Sequence, residues 1–329
     1  MSLRVGVAGF GAIGRNHARN LTTMPGVELV AVADTSPAMR AQAAALGYPV
    51  VDSVRALAEL DLHAAIVAVP TTQHETAAIP LIAARCALLI EKPLAHSLPA
   101  AKRIIDLAEA AKLPLMIGYV ERYNPAMIAL RDFIAAGNLG ELISMTARRV
   151  GVLPPRIRDA NVLIDIGVHD IDIVAFITGA RRVHLVAARG GMALLDDRLD
   201  YATILLDAGG CVVTIEANWV TPVKVRELSI TGTRGYCRVD YITQEAWFAP
   251  GRSFAPTATY EALVEQYREG TMIPLPVAKR EPLARELEAF LAGVRGEPLP
   301  DPRIALASLR LAEEATESIL ASVARERTA

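Results

Sequence analysis

The sequence predicts an α/β protein: a doubly wound parallel sheet, then an α+β domain whose sheet is mainly antiparallel. Three observations carry this. Over the first 120 residues, short runs apolar on both faces alternate with helical segments, as a parallel sheet covered on both sides requires. After Tyr119 the pattern changes to strand-like runs whose connections are too short for crossovers. The chain's 329 residues, 52% of them hydrophobic, suffice for two domains with sizeable cores. The expected domains are 1–120 and 121–329.

In the first domain, Leu3 to Ala8, Glu28 to Ala33, Ala64 to Val69, Cys86 to Ile90 and Leu115 to Tyr119 read as strands. Ile13 to Thr23, Pro37 to Leu46, Gln73 to Ala84 and Leu98 to Ala111 read as helices, with a kink or early end expected at Pro80. A helix is expected from Pro125, capped by Asn124. Strands follow at Glu141 to Val150, Val183 to Arg189, Tyr201 to Asp207, Cys211 to Val220, Val225 to Thr231 and Gly235 to Tyr241. Gly209-Gly210 reads as a hairpin turn. A helix at about 162–178 interrupts the strands, and helices at about 282–294 and 304–324 close the chain.

Composition excludes several functions. A net charge of -2 gives no basic field for nucleic acid. No apolar run is long enough to span a bilayer, and the glycine-broken N-terminus fails as a signal peptide. Cys86, Cys211 and Cys237 lie far apart, with neither zinc nor disulfide spacing, and read as buried reduced thiols of a cytoplasmic protein.

In open parallel sheets, ligands sit beyond the carboxyl ends of the strands. The first strand ends in Gly9-Phe10-Gly11-Ala12-Ile13-Gly14, a G-x-G-x-x-G between strand and helix. Its glycines permit the turn, the approach of a pyrophosphate and close helix packing, with phosphates on the helix N-terminus. The second strand ends in Asp34, 20 residues after Gly14. A carboxylate there accepts both ribose hydroxyls of NAD and repels the 2′-phosphate of NADP, so NAD is expected, although Arg40 is near in sequence. Asp34 also suits the N-cap of the helix beginning near Pro37.

The third strand ends in Pro70-Thr71-Thr72-Gln73-His74. Its threonines either touch the cofactor or cap the next helix, and His74 either faces the same cleft or is a surface histidine. The fourth strand ends in Glu91-Lys92-Pro93. There Glu91 is expected to hold Lys92 by pairing with it, and a cis bond before Pro93 is open to test. The fifth ends in Tyr119, followed by Arg122, Tyr123 and Asn124.

In the second domain, Asp165, His169 and Asp172 are spaced i, i+4, i+7 on an otherwise apolar helix. This stripe faces either a polar cleft or solvent. His169 beside Asp165 has the form of a proton acceptor with an orienting partner. A nicotinamide cofactor moves a hydride, and oxidising an alcohol also releases a proton. Lys92 and His169 offer two candidates for that proton, one from each domain.

At these residues the sequence resembles the glucose–fructose oxidoreductase, inositol dehydrogenase and rhizopine-catabolism family (Gfo/Idh/MocA). The resemblance rests on Gly9 to Gly14, on Glu91-Lys92-Pro93, and on Asp165-x-x-x-His169 with Asp172 beyond. It implies a Rossmann domain, a C-terminal domain with an open, mostly antiparallel sheet, and NAD(P)-dependent chemistry on a sugar or polyol. It places Lys92 and His169 at the reacting carbon with Asp165 nearby. It also implies homodimers or homotetramers formed through the C-terminal sheet.

Glu121 to Ala126 and Ala147 to Asp159 further resemble the branch that oxidises UDP-N-acetylglucosamine at C3. That implies Tyr123 and Asn124 at the sugar. Arg148, Arg149, Arg156 and Arg158 surround a proline-rich loop, and guanidinium groups suit a diphosphate. The resemblance favours one or two of them for that role over an exposed basic loop.

Overall fold

A computed structural model of the chain describes residues 2–154, 160–180, 182–251, 259–262, 264 and 271–328. Two compact units emerge: Met1–Tyr123 with Glu281–Arg310, and Asn124–Arg280 with Leu311–Ala329.

The first unit holds β1 (Leu3–Ala8), α1 (Ala12–Thr23), β2 (Val27–Ala33), α2 (Pro37–Ala45), β3 (Val50–Val51), α3 (Val54–Ala58), β4 (Ala64–Val67), α4 (His74–Ala83), β5 (Ala87–Glu91), α5 (Leu98–Ala110) and β6 (Leu115–Gly118). All neighbouring strands are parallel, in the order β3-β2-β1-β4-β5-β6. Because every strand points the same way, Gly9, Asp34, Pro70, Lys92 and Tyr119 follow carboxyl ends on one edge. Every residue of β4, β5 and β6 is buried, as continuous apolar strands between helical layers should be.

The two-residue β3 and the short α3 are too brief to leave a period in the sequence. α4 runs through Pro80 to Ala83, where a kink or early end is expected. The cap of its final turn is intact, with Ala84 N–H donating to the Pro80 carbonyl at 3.0 Å.

The second unit contains α6 (Pro125–Ala135), α7 (Val168–Thr178) and a sheet of β7 (Leu142–Val152), β8 (His184–Gly191), β9 (Tyr201–Ala208), β10 (Cys211–Asn218), β11 (Val220–Gly232), β12 (Gly235–Asp240), β13 (Glu245–Pro250) and β14 (Ile273–Pro274). The order is β14-β13-β12-β11-β7-β10-β9-β8, and all pairs but β7 with β10 are antiparallel. Gly209 and Gly210 form the two-residue turn between β9 and β10, with φ of +70° and +93° that only glycine adopts at little cost. Asn124 caps α6 as expected: its side chain accepts from Ala126 N–H at 3.1 Å, with Pro125 in the first turn.

Helix α8 (Pro282–Val294) and the first part of α9 (Arg303–Thr328) cluster with the parallel sheet, which a boundary at residue 120 does not include. The reason is hydrophobic. Leu287, Phe290 and Leu291 are buried in the core that contains Val5, Phe10, Leu21 and Ile66. Burial stabilises each such side chain by about 1.5–3 kcal/mol.

Candidate active site

The glycine loop is shaped by its surroundings. Gly9 has φ +95°, and a Cβ there would lie 2.5 Å from the Ala68 carbonyl oxygen. A Cβ on Gly14 would lie 2.0 Å from the Gly9 carbonyl oxygen. At Gly11 a Cβ would meet nothing within 4 Å. Gly11 offers no side-chain cap to α1, whose first turn, beginning at Ala12 and Ile13, holds no acid. A positive helix end facing open space is the cradle that a pyrophosphate needs. These residues fit a dinucleotide.

Asp34 is half-buried beside that loop. Its Oδ2 accepts from Phe10 N–H at 2.8 Å and its Oδ1 from Ser36 N–H at 2.8 Å. A carboxylate has about four acceptor positions, so capacity for ribose hydroxyls remains. The cap of α2 is Ser36, which accepts from Met39 N–H, and not Asp34. The Arg40 guanidinium donates to the Asp34 and Thr35 carbonyls at 2.8 and 3.0 Å.

Lys92 follows β5, half-buried, with a cis bond to Pro93. Beneath this turn lies His74, only 1% exposed, so the surface alternative is set aside. Its Nδ1 is 3.1 Å from the Pro93 carbonyl oxygen and its Nε2 3.0 Å from that of Val69. Burial, opposed by these backbone contacts, holds the ring below its ordinary value, so it is neutral near pH 7. A neutral ring has one N–H and donates to only one of these carbonyls, so His74 packs between the end of β4 and the Lys92 turn. Pro70 is exposed and Thr71, half-buried, opens a short 3₁₀ turn on the same edge.

Glu91 does not pair with Lys92. Its Oε1 accepts from Nε2 of His17 at 2.7 Å, inside the unit. His17 lies on the buried face of α1 with Gly14, Ala18 and Leu21.

At the end of β6, Gly118 is the register partner of Glu91, so Tyr119 and Lys92 are the next residues on neighbouring strands. Tyr119 is buried, and the Arg122 guanidinium stands 5.8 Å from its ring centre. Tyr123 donates its hydroxyl to Met116 Sδ at 3.5 Å. These three residues line a pocket shared with Pro300, Asp301 and Pro302. Asn124, expected at the sugar, is 1% exposed; it caps α6 and donates to the Tyr241 carbonyl at 3.0 Å. Its amide is committed inside the second unit.

In that second unit, Leu163–Gly167 forms a π turn leading into α7. Such turns recur at functional sites, and this one contains Asp165 and ends two residues before His169. Asp165 and His169 are half-buried while Asp172 is 1% exposed, so the expected stripe does not share one environment. Arg149, expected near a diphosphate, is instead 4% exposed and bidentate on Asp170, with Nε–Oδ2 2.7 Å and Nη2–Oδ1 3.0 Å. Its guanidinium also stacks 5.0 Å from the Tyr241 ring centre. Exposed Arg148 pairs with Glu216. Arg156 and Arg158 lie outside the described residues.

Three residues escape a motif-based reading: His17, Asp170 and Glu286. Each had a signal. Arg149 falls on the inward face of β7 with Met145 and Ala147, so a buried partner was required. Glu286 occupies a core position in the stripe Leu283, Glu286, Leu287, Phe290. The three cysteines are buried, and burial pushes Cys86 up to about 11 and Cys237 up to about 12, which leaves them inert thiols. Among the described residues no helix is long and apolar enough to cross a membrane.

Residues 3–119 match the model of an oxidoreductase family with an NAD-binding Rossmann fold, and residues 127–238 match the GFO/IDH/MocA C-terminal domain. The chain is 30% identical over 304 residues to UDP-N-acetylglucosamine 3-dehydrogenase of Acidithiobacillus ferrooxidans, covering 89% of this chain and 88% of that protein. The solved structure of that enzyme, GnnA, superposes with a TM-score of 0.83 at 27% identity, over 98% of this chain and 99% of that one. Inositol 2-dehydrogenase of Rhizobium meliloti is 26% identical over 97% of each chain.

Proposed function

The chain belongs to the Gfo/Idh/MocA oxidoreductase family, and from that premise we propose that it is an NAD-dependent dehydrogenase oxidising UDP-N-acetylglucosamine at C3 to the 3-keto sugar. The observation that carries the substrate is the similarity to UDP-N-acetylglucosamine 3-dehydrogenase over most of both chains.

In this reaction the alcohol carbon loses a hydride and its hydroxyl loses a proton. The Gly9 to Gly14 loop would hold NAD, which would supply the hydride acceptor when bound. Lys92 hydrogen-bonds the reacting oxygen and favours its developing negative charge. His169 takes the proton, with Asp165 orienting the ring. Tyr119, Arg122 and Tyr123 contact the nucleotide sugar; their common pocket beside the Lys92 strand supports this. Arg156 and Arg158 remain the loop arginines assigned to the diphosphate, now that Arg149 is bound to Asp170.

The chain also self-associates in this reading, as a homodimer or homotetramer. Strand register puts Val152, Tyr201, Val212 and Val220 on one sheet face, all exposed, which supports a second copy as its cover. Light scattering on the purified chain measures the state directly.

The test is NADH formation with UDP-N-acetylglucosamine and with myo-inositol. Turnover of the nucleotide sugar alone is expected. Lys92→Ala should lower kcat by about 10²-fold or more, and His169→Ala by about 10²–10⁴-fold. Turnover of myo-inositol alone transfers the assignment to a free polyol, the reading that the inositol 2-dehydrogenase similarity favours. NAD binding and a protein partner, with no NADH formed from any sugar, favour a sensor instead.

A further inference from the structure

The bond between His17 and Glu91 has a third neighbour. Glu286, on the buried face of α8, is 0% exposed, and neither of its carboxylate oxygens has a hydrogen-bond partner. His17 Nδ1 is likewise buried without one. One polar atom from each of His17, Glu91 and Glu286 lies within 4.8 Å of the others. α1, β5 and α8 thus meet at a small polar island in the hydrophobic core of the first unit, with Glu121 as a further acid acting on Glu286.

Two ionised carboxylates cannot share such a site. Like charges at this spacing repel, and burial removes the water that would screen them. Glu91 is the acid with a donor; Glu286 has none and keeps its proton. Burial, then the charges of Glu91 and Glu121, push the Glu286 carboxyl well above its ordinary range. A divalent cation suits the spacing poorly. At 2.7 Å, His17 Nε2 and Glu91 Oε1 are separated by a hydrogen bond, shorter than the roughly 3.3 Å between ligands of a tetrahedral ion bound at about 2.0–2.1 Å.

We propose that Glu286 is a positioning residue: a buried carboxylic acid that, by carrying no charge, leaves the Glu91 carboxylate on His17 and with it the strand end from which Lys92 projects. Ionising Glu286 would place a second negative charge against Glu91 and drive the two apart. Turnover should then fall on the alkaline side for a reason outside the reacting groups. This step rests on Lys92 acting in the reaction, as proposed above.

The test uses the full-length enzyme with NAD bound, and its first readout needs no turnover. Infrared spectra of the wild type should show a carboxylic-acid C=O band near neutral pH that Glu286→Gln removes. No band lost, or a stoichiometric metal in the wild type by elemental analysis that disappears in Glu286→Gln, overturns the proposal. The second readout is kcat against pH. Glu286→Gln, which stays neutral, should match the wild type near pH 7 and shift its alkaline limb. Glu286→Leu, likewise uncharged, should show the same shifted alkaline limb at unchanged NAD affinity. Identical pH limbs in the wild type and Glu286→Gln overturn the positioning role. A proton band with no turnover on any sugar sinks the substrate assignment and leaves the buried acid standing.

Discussion

His17 Nε2 donates to Glu91 Oε1 across 2.7 Å inside the first unit, joining the helix behind the glycine loop to the strand that presents Lys92. Through this bond the candidate phosphate cradle and the candidate catalytic lysine share one buried anchor. Glu286 beside it has a stability consequence. Its carboxyl titrates well above 4.5 in the folded chain, so the folded state binds the proton more tightly than the unfolded one. The resulting stabilisation is complete below about pH 4.5 and is lost as pH rises toward the folded value, by up to about 1.4 kcal/mol per pH unit. Glu286→Gln should lack this slope. Melting temperatures of both proteins across pH 5–8 should therefore diverge as pH rises, with the variant gaining relative to the wild type.

Gly11 and Gly14 should separate cofactor binding from folding. Gly14→Ala forces a Cβ to 2.0 Å from a backbone oxygen, so a loss of about 3 kcal/mol or more is expected. Gly11→Ala meets no protein atom, and its unfolding free energy should stay within about 1 kcal/mol of wild type. Its methyl enters the space facing the helix end, so NAD should bind at least about tenfold more weakly, a change of about 1.4 kcal/mol. Calorimetric titration with NAD measures this.

Asp34 should decide between NAD and NADP. Replacing it with alanine removes charged acceptors for ribose hydroxyls, worth about 1.5–3 kcal/mol, so KM for NAD should rise about tenfold to hundredfold. The barrier to a 2′-phosphate falls at the same time. The ratio of kcat/KM for NADP to that for NAD should therefore increase. An unchanged ratio would remove Asp34 from the ribose site.

Arg149 should behave as a structural residue. Arg149→Ala removes the bidentate partner of the Asp170 carboxylate, which is 1% exposed, at a cost of about 3–5 kcal/mol. Replacing both residues with leucine should cost much less, because no buried charge is left alone. Urea unfolding midpoints of the single and double variants test this, provided the slopes agree. A stable Arg149→Ala protein with a raised KM for substrate would return the arginine to the substrate site.

Local patterning determined much of this protein by itself. Alternating apolar strands and helices specify the parallel sheet, because such strands are covered on both faces. The glycine spacing and Asp34 specify the dinucleotide end, because turn geometry and helix polarity are local properties. The Asn124-Pro125 cap and the Gly209-Gly210 hairpin are local for the same reason. Only the tertiary structure decided the partners of charges. It gave Glu91 to His17, 74 residues away, and Arg149 to Asp170, 21 residues away. It returned α8 to the first unit and set Glu286 beside that first pair. A charge in a sequence looks the same whether it meets water, a ligand or an opposite charge in the core. Burial chooses among these, and burial is a property of the folded chain.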